Sequence, residues 1–115
     1  MQYMFLIYSA EDAEPAPGTP EFDEMMQGYH AFTEEVRDAG IMREGAPLEK
    51  AETATTVRVR GGAASVVDGP FAETKEVLGG YYILECANLD EATAYAAKIP
   101  TAAFGSIEVR PVMDM

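Results

Sequence analysis

The chain has 115 residues, 48% of them apolar, and twenty acidic against eight basic side chains for a formal charge of −12. That length suits one domain over residues 1–115 around a single core, and no apolar run approaches the roughly 18 residues of a membrane span. A field of this sign repels phosphate backbones and anionic lipid surfaces, so neither nucleic acid nor membrane is expected as a partner.

Residues 3–8, "YMFLIY", form the first predicted strand, apolar on both alternating faces,. The start, "MQYMFLIYSAED", has neither the basic flank nor the cleavage site of a signal peptide, so a cytoplasmic protein is expected. A Pro- and acid-rich loop follows. Thr19 then suits a helix cap, with Pro20 at the first helical position, where a missing N–H costs nothing. Over residues 21–39 the spacing of Phe22, Met25, Tyr29, Phe32 and Val36 predicts an amphipathic helix that Gly40 stops. His30 lies off that stripe, on a flank shared with Met26, Thr33 and Arg37.

"IMREGAPLEK" reads as an edge strand, because Pro47 cannot donate to a ladder. "TTVRVR-GG-AASVVD" is a hairpin pattern around Gly61-Gly62, with Thr56, Arg58 and Arg60 on a solvated face. Gly79-Gly80 introduces the apolar strand "YYILEC". "NLDE" has the form of a capping box before a second helix, whose expected stripe is Leu89, Ala92, Ala96 and Ile99, with Pro100 as its stop. "SIEVRPV" alternates as a last strand.

The predicted order is β-α-β-β-β-β-α-β. This is an α+β, ferredoxin-like sandwich of one sheet and two helices with an extra β-hairpin. Two helices cover only one face of the sheet, while residues 3–8 and 81–86 are apolar on both. A second copy is the economical cover, so a homodimer is expected.

The segments "YMFLIY", "AFTEEVRDAG", "TTVRVR", "VVDGPFAETKEVLGGYYILE" and "IEVRPV" together resemble the DGPF branch of the YCII-related family, over nearly the whole chain. The resemblance implies a dimeric α+β barrel, in agreement with the two-faced strands. It also implies an association with extracytoplasmic-function sigma factors and a His/Asp acid–base pair of the kind proposed for relatives. Asp68, Gly69, Pro70 and Phe71 carry the signature and Glu73, Lys75 and Glu76 continue it. His30 lies in the helix that bears the relatives' histidine. Where the family has a tryptophan in the second helix, this chain has Tyr95.

Asp68 and His30 are the candidate catalytic residues. An aspartate before glycine ordinarily accepts an N–H two residues on, but Pro70 has none. Asp68 therefore turns either to an N–H just beyond, at Phe71 or Ala72, or to a group in a cleft. His30 is the only histidine, so imidazole proton transfer in this chain runs through it; the plainer alternative is a solvated flank residue beside Glu34. Tyr8, Ser9, Phe71 and Lys75 are the candidate ligand-binding residues, Tyr8 by its hydroxyl at the end of strand one and Lys75 as a cation for an anionic ligand.

Metal ligands at suitable spacing are missing from the sequence, and the glycine pairs sit at hairpin and strand starts, so neither metal nor cofactor is expected. Cys86, alone in an apolar strand, is expected to be inert. Two functions follow. One is a small-molecule enzyme or binder of isomerase or lyase type, its cleft between helix and sheet. The other is a non-catalytic dimeric module that regulates or docks on a protein partner such as a transcription factor.

Overall fold

The structure, a computed structural model, describes residues 1–115. Its elements run β1 (Gln2–Ser9), α1 (Pro20–Asp38), β2 (Met42–Pro47), a 3-10 turn (Ala51–Thr53), β3 (Thr55–Arg60), β4 (Ala63–Asp68), β5 (Val77–Glu85), α2 (Leu89–Ala96), a second 3-10 turn (Pro100–Ala103) and β6 (Ser106–Pro111). Four strands form an antiparallel sheet in the order β2-β5-β1-β6, and β3-β4 make a separate two-stranded ribbon. With the ribbon set aside, this is the split β-α-β order anticipated from the sequence.

Alternation along β1 sorts its side chains between two faces. Tyr3, Phe5, Ile7 and Ser9 are buried against the helices, while Met4, Leu6 and Tyr8 are half-buried on the opposite face. On β5 the same division puts Tyr82 and Leu84 inside and Tyr81 and Ile83 on the opposite face. Phe32 and Val36 of α1, Ala92 and Ala96 of α2, and Ile99 complete the core. The Phe32 and Tyr82 rings meet edge-on, 5.1 Å apart at 70°, a geometry that suits the aromatic quadrupole.

The caps of α1 follow its sequence. The Phe22 N–H donates to Thr19 Oγ1 at 3.2 Å, with Pro20 at the first position. At the far end Gly40 takes a φ of 71°, its N–H donating to the Arg37 carbonyl and that of Ile41 to Val36. These two bonds satisfy carbonyls that the helix would otherwise leave open. β2 is an edge strand, as Pro47 requires.

Four details differ from the sequence reading. β5 starts at Val77, and the register slips between Ile7 and Tyr8, which pair with Gly80 and Leu78. Gly79 is thus the extra residue of a bulge inside the strand, a position that glycine commonly marks. Leu89 is 53% exposed, because it stands in the first turn of α2 before the helix meets the sheet. Pro100 opens a 3-10 turn, whose Thr101 is buried. The ribbon also lacks the expected dry face: Val57 and Val59 are each 60% exposed.

Both helices lie on one face of the sheet, and no second layer of the chain covers Met4, Leu6, Tyr8, Tyr81 and Ile83. The molecule is accordingly flat, 48 × 42 × 19 Å.

Candidate functional site

α1 does not close onto the sheet along its whole length. Between it and the β2-β5 edge lies a cavity of about 460 Å³, within the range of small-molecule sites. Phe22, Met25, Met26, Tyr29, His30, Thr33 and Arg37 line the helix side. Ile7 and Ser9 come from β1, Met42 and Gly45 from β2, Gly80 and Tyr82 from β5, and Thr101 from the second 3-10 turn.

Helical spacing explains why these residues share a wall. Met26, His30, Thr33 and Arg37 are separated by four, three and four residues, so they form a second stripe beside the buried one. The flank is half-solvated, as it reads from sequence, and also lines the cavity: Met26, His30 and Arg37 are exposed and Thr33 is half-buried. Phe22 and Tyr29 belong to the apolar stripe yet remain half-buried, because both face the cavity, Tyr29 while also packing against the core.

Two hydroxyl pairs cross the cavity floor. Tyr29 Oη lies 2.5 Å from Thr101 Oγ1, and Tyr82 Oη lies 2.8 Å from Thr33 Oγ1. Each links α1 to another element, and each hydroxyl keeps further donor or acceptor capacity. Burial pushes the Tyr29 phenol above its ordinary value, with the Thr101 hydrogen bond acting in the opposite sense. Tyr29 is therefore a neutral phenol throughout the physiological range.

Glycines leave room for this arrangement. A Cβ on Gly45 would come within 2.8 Å of Tyr82 Cδ1, and one on Gly80 within 3.1 Å of the Ala46 carbonyl oxygen. The neighbouring depression, about 230 Å³, shares Ser9, Glu14 and Gly79 with the cavity, and both charged residues (Glu11, Glu49, Lys50, Glu52) and apolar ones such as Leu48 and Leu78 line the rest. No group of three or more His, Cys, Asp or Glu side chains is placed to hold a metal ion.

Of the residues singled out from sequence, His30 and Ser9 line the cavity. Tyr8 does not: consecutive strand residues point to opposite faces, so Ser9 faces the helix and Tyr8 the uncovered side of the sheet,. Asp68 ends β4 opposite Thr55 and is exposed. The hydrogen bonds of its turn run from the Gly69 N–H to the Ala54 carbonyl (2.6 Å) and from Thr56 Oγ1 to the Gly69 carbonyl (2.8 Å), neither through the carboxylate. Phe71, 77% exposed, and Lys75, also exposed, lie on the return from the ribbon. One chain thus joins His30 to Ser9 and leaves Asp68, Phe71, Lys75 and Tyr8 off the cavity. Cys86 is buried, and burial raises its thiol pKa, in keeping with an inert cysteine,.

Sequence reasoning did not single out Tyr29, Thr101 and Tyr82 as site residues. The tyrosines read as core aromatics, and Thr101 is 72 residues from the phenol it meets. A tyrosine within an apolar stripe was the available signal, since its hydroxyl needs a partner wherever it is buried.

A four-stranded antiparallel sheet with two helices on one face and a cavity beneath the first defines a small α+β protein of split β-α-β order. The family profile of the YCII-related domain matches residues 1–115, and the chain belongs to that family. It is 39% identical over 114 residues to "Uncharacterized protein R00369" of Rhizobium meliloti (strain 1021), covering 97% of this chain and 92% of that protein. Among solved structures it is similar to the 5-chloro-2-hydroxyhydroquinone dehydrochlorinase TftG of Burkholderia phenoliruptrix AC1100, in complex with 2,5-dihydroxybenzoquinone. That likeness has a TM-score of 0.49 at 16% identity, over 98% of this chain and 94% of the other. No helix is long and apolar enough to cross a membrane.

Proposed function

We propose that this protein binds a small organic molecule in the cavity beneath α1 and acts on it by proton transfer through His30, without a cofactor. The supporting observation is the cavity's composition. The chain's one imidazole shares it with an apolar floor (Ile7, Met25, Met42) and two hydroxyl pairs that can orient a ligand's polar atoms,. Imidazole is the side chain suited to taking and returning a proton near neutral pH. Isomerisation and cofactor-free elimination are the reaction classes that need only this.

The working unit under this reading is a two-fold dimer, a dimeric α+β barrel of the DGPF type that the sequence resembles. Its support is the half-exposed Met4, Leu6, Tyr81 and Ile83 on the uncovered face of the sheet, which a second sheet would bury. The Asp68 of the expected catalytic pair stands off its own chain's cavity, so the proton-transfer role rests first on His30. The alternative of a regulatory module that docks on a protein has one observation in its favour, the exposed apolar side chains of the β3-β4 ribbon.

A screen of one- and two-ring organic compounds by protein-detected NMR tests the first reading. Binders are expected to shift amides of Tyr29, Thr33 and Gly80, and His30→Gln is expected to retain binding while losing turnover. A screen without a cavity binder, beside capture of a protein through the ribbon, would favour the regulatory module.

A further inference from the structure

The β3-β4 ribbon is the least covered part of the chain. Five of the six residues of β3 and all six of β4 are exposed. The register sets Val57 opposite Val66 and Val59 opposite Ala64, which gathers four apolar side chains on one side. The three valines are 60–66% exposed. Hydrogen bonds from the ribbon and its turn end within the same segment, on Ala54, Gly69 and Phe71. A lone two-stranded hairpin is marginal in water, so the ribbon calls for packing beyond its own two strands. Overall shape agrees: the radius of gyration is 16.0 Å, against about 13 Å for a compact domain of this length.

Charge and area indicate what covers it. Residues 55–68 hold Arg58, Arg60 and Asp68, a net +1, so the remainder of the −12 chain carries −13. Two copies repel through their bodies, and the ribbon is the apolar segment whose charge is attracted to another copy. One side of the ribbon offers only about 200 Å² at ordinary strand dimensions, well short of the roughly 800 Å² per partner of a stable interface. The uncovered face of the four-stranded sheet adds about 450 Å² on the same basis. Either surface alone is too small; together they approach a stable dimer.

We propose that the ribbon is an exchange arm: in a two-fold dimer the Val57, Val59, Ala64 and Val66 side of each copy packs on the other, continuous with the sheet-to-sheet contact. This rests on the dimer reading above and adds to it a second, reciprocal contact. Asp68, Phe71 and Lys75, at the arm's root and off their own cavity, are then presented by one copy to its partner.

Sedimentation equilibrium and amide hydrogen exchange on the full chain test the arm. In the wild type, ribbon amides should be protected in the dimer and lose that protection on dilution to monomer. Val57→Asp with Val66→Asp should weaken dimerisation by at least about 100-fold, from the burial of two valines, with an unchanged circular dichroism spectrum. Arg58→Glu with Arg60→Glu should weaken it further at low salt than at high. Should these variants dimerise like wild type while Leu6→Asp on the sheet face dissociates, the arm fails and the dimer stands. A wild type monomeric at about 100 μM overturns both; ribbon protection that persists in the monomer overturns the arm alone, since the arm then folds on its own chain.

Discussion

β1 and the β3-β4 ribbon are written in the same two-residue period, and they end in opposite environments. In β1 alternate residues reach Phe32, Val36 and Ala92, and Phe5 is wholly buried. In the ribbon Val57, Val59 and Val66 alternate just as regularly but, paired only across the ribbon, stay 60–66% exposed. Alternation specifies a strand with a face to bury. Cover comes from elsewhere: for β1 it is the helix joined to it by the loop of residues 10–19, and for the ribbon its own chain supplies none. Between these extremes is the uncovered side of the main sheet, whose apolar residues are half-buried by one another.

The widest separation should appear under truncation. Phe5→Ala removes a fully buried ring and is expected to cost about 3–5 kcal/mol, whereas Val57→Ala, assayed where the protein is monomeric, should stay within about 0.5 kcal/mol. Urea denaturation of both variants measures the gap, and equal losses would mean that the ribbon packs on its own body.

Gly45→Ala comes next. Its Cβ would press on Tyr82 Cδ1 at 2.8 Å and Met42 Cε at 3.1 Å, an overpacking cost of about 1–3 kcal/mol. A thermal melt should show it, together with displaced Thr33 and Tyr82 resonances. Tyr82→Phe deletes only the hydroxyl partner of Thr33 and should lose about 1 kcal/mol; no loss would mean that this pair does not tie α1 to the sheet.

A smaller effect concerns pH. Burial raises the Tyr29 phenol, so the folded state holds this proton to higher pH than the unfolded chain, which releases it near 10. The folded state then binds more protons, and its stability falls as pH rises from that value through the folded one. Tyr29→Phe should flatten this alkaline decline, measured as urea midpoints between about pH 9 and 11. An unaltered slope would show that Tyr29 is as solvated as a free phenol.

Most of the framework was legible because local chemistry specifies it. Thr19-Pro20 and Gly40 bound α1, Gly61 and Gly62 adopt the positive φ of a tight turn (57° and 79°), and Pro47 marks an edge. The site was legible only in part. His30, Met26, Thr33 and Arg37 could be assigned to one flank from spacing, but whether solvent or a cavity lies beyond a flank depends on where α1 stands on the sheet. Thr101 was out of reach, since only the fold brings it to Tyr29. The signature acid Asp68 was conspicuous in sequence yet lies on the ribbon, where its role depends on what the ribbon meets.

The central claim is that the cavity beneath α1 is a ligand site with His30 as its proton-transfer group. Its most direct test is a ¹⁵N-resolved chemical-shift titration of the full chain with one- and two-ring organic compounds, following the His30 ring as well as the amides. The expected result is a set of shifts clustered on Tyr29, His30, Thr33, Gly45 and Gly80, with the imidazole signals moving in step. Shifts confined to residues 55–76, with His30 unmoved, would contradict it.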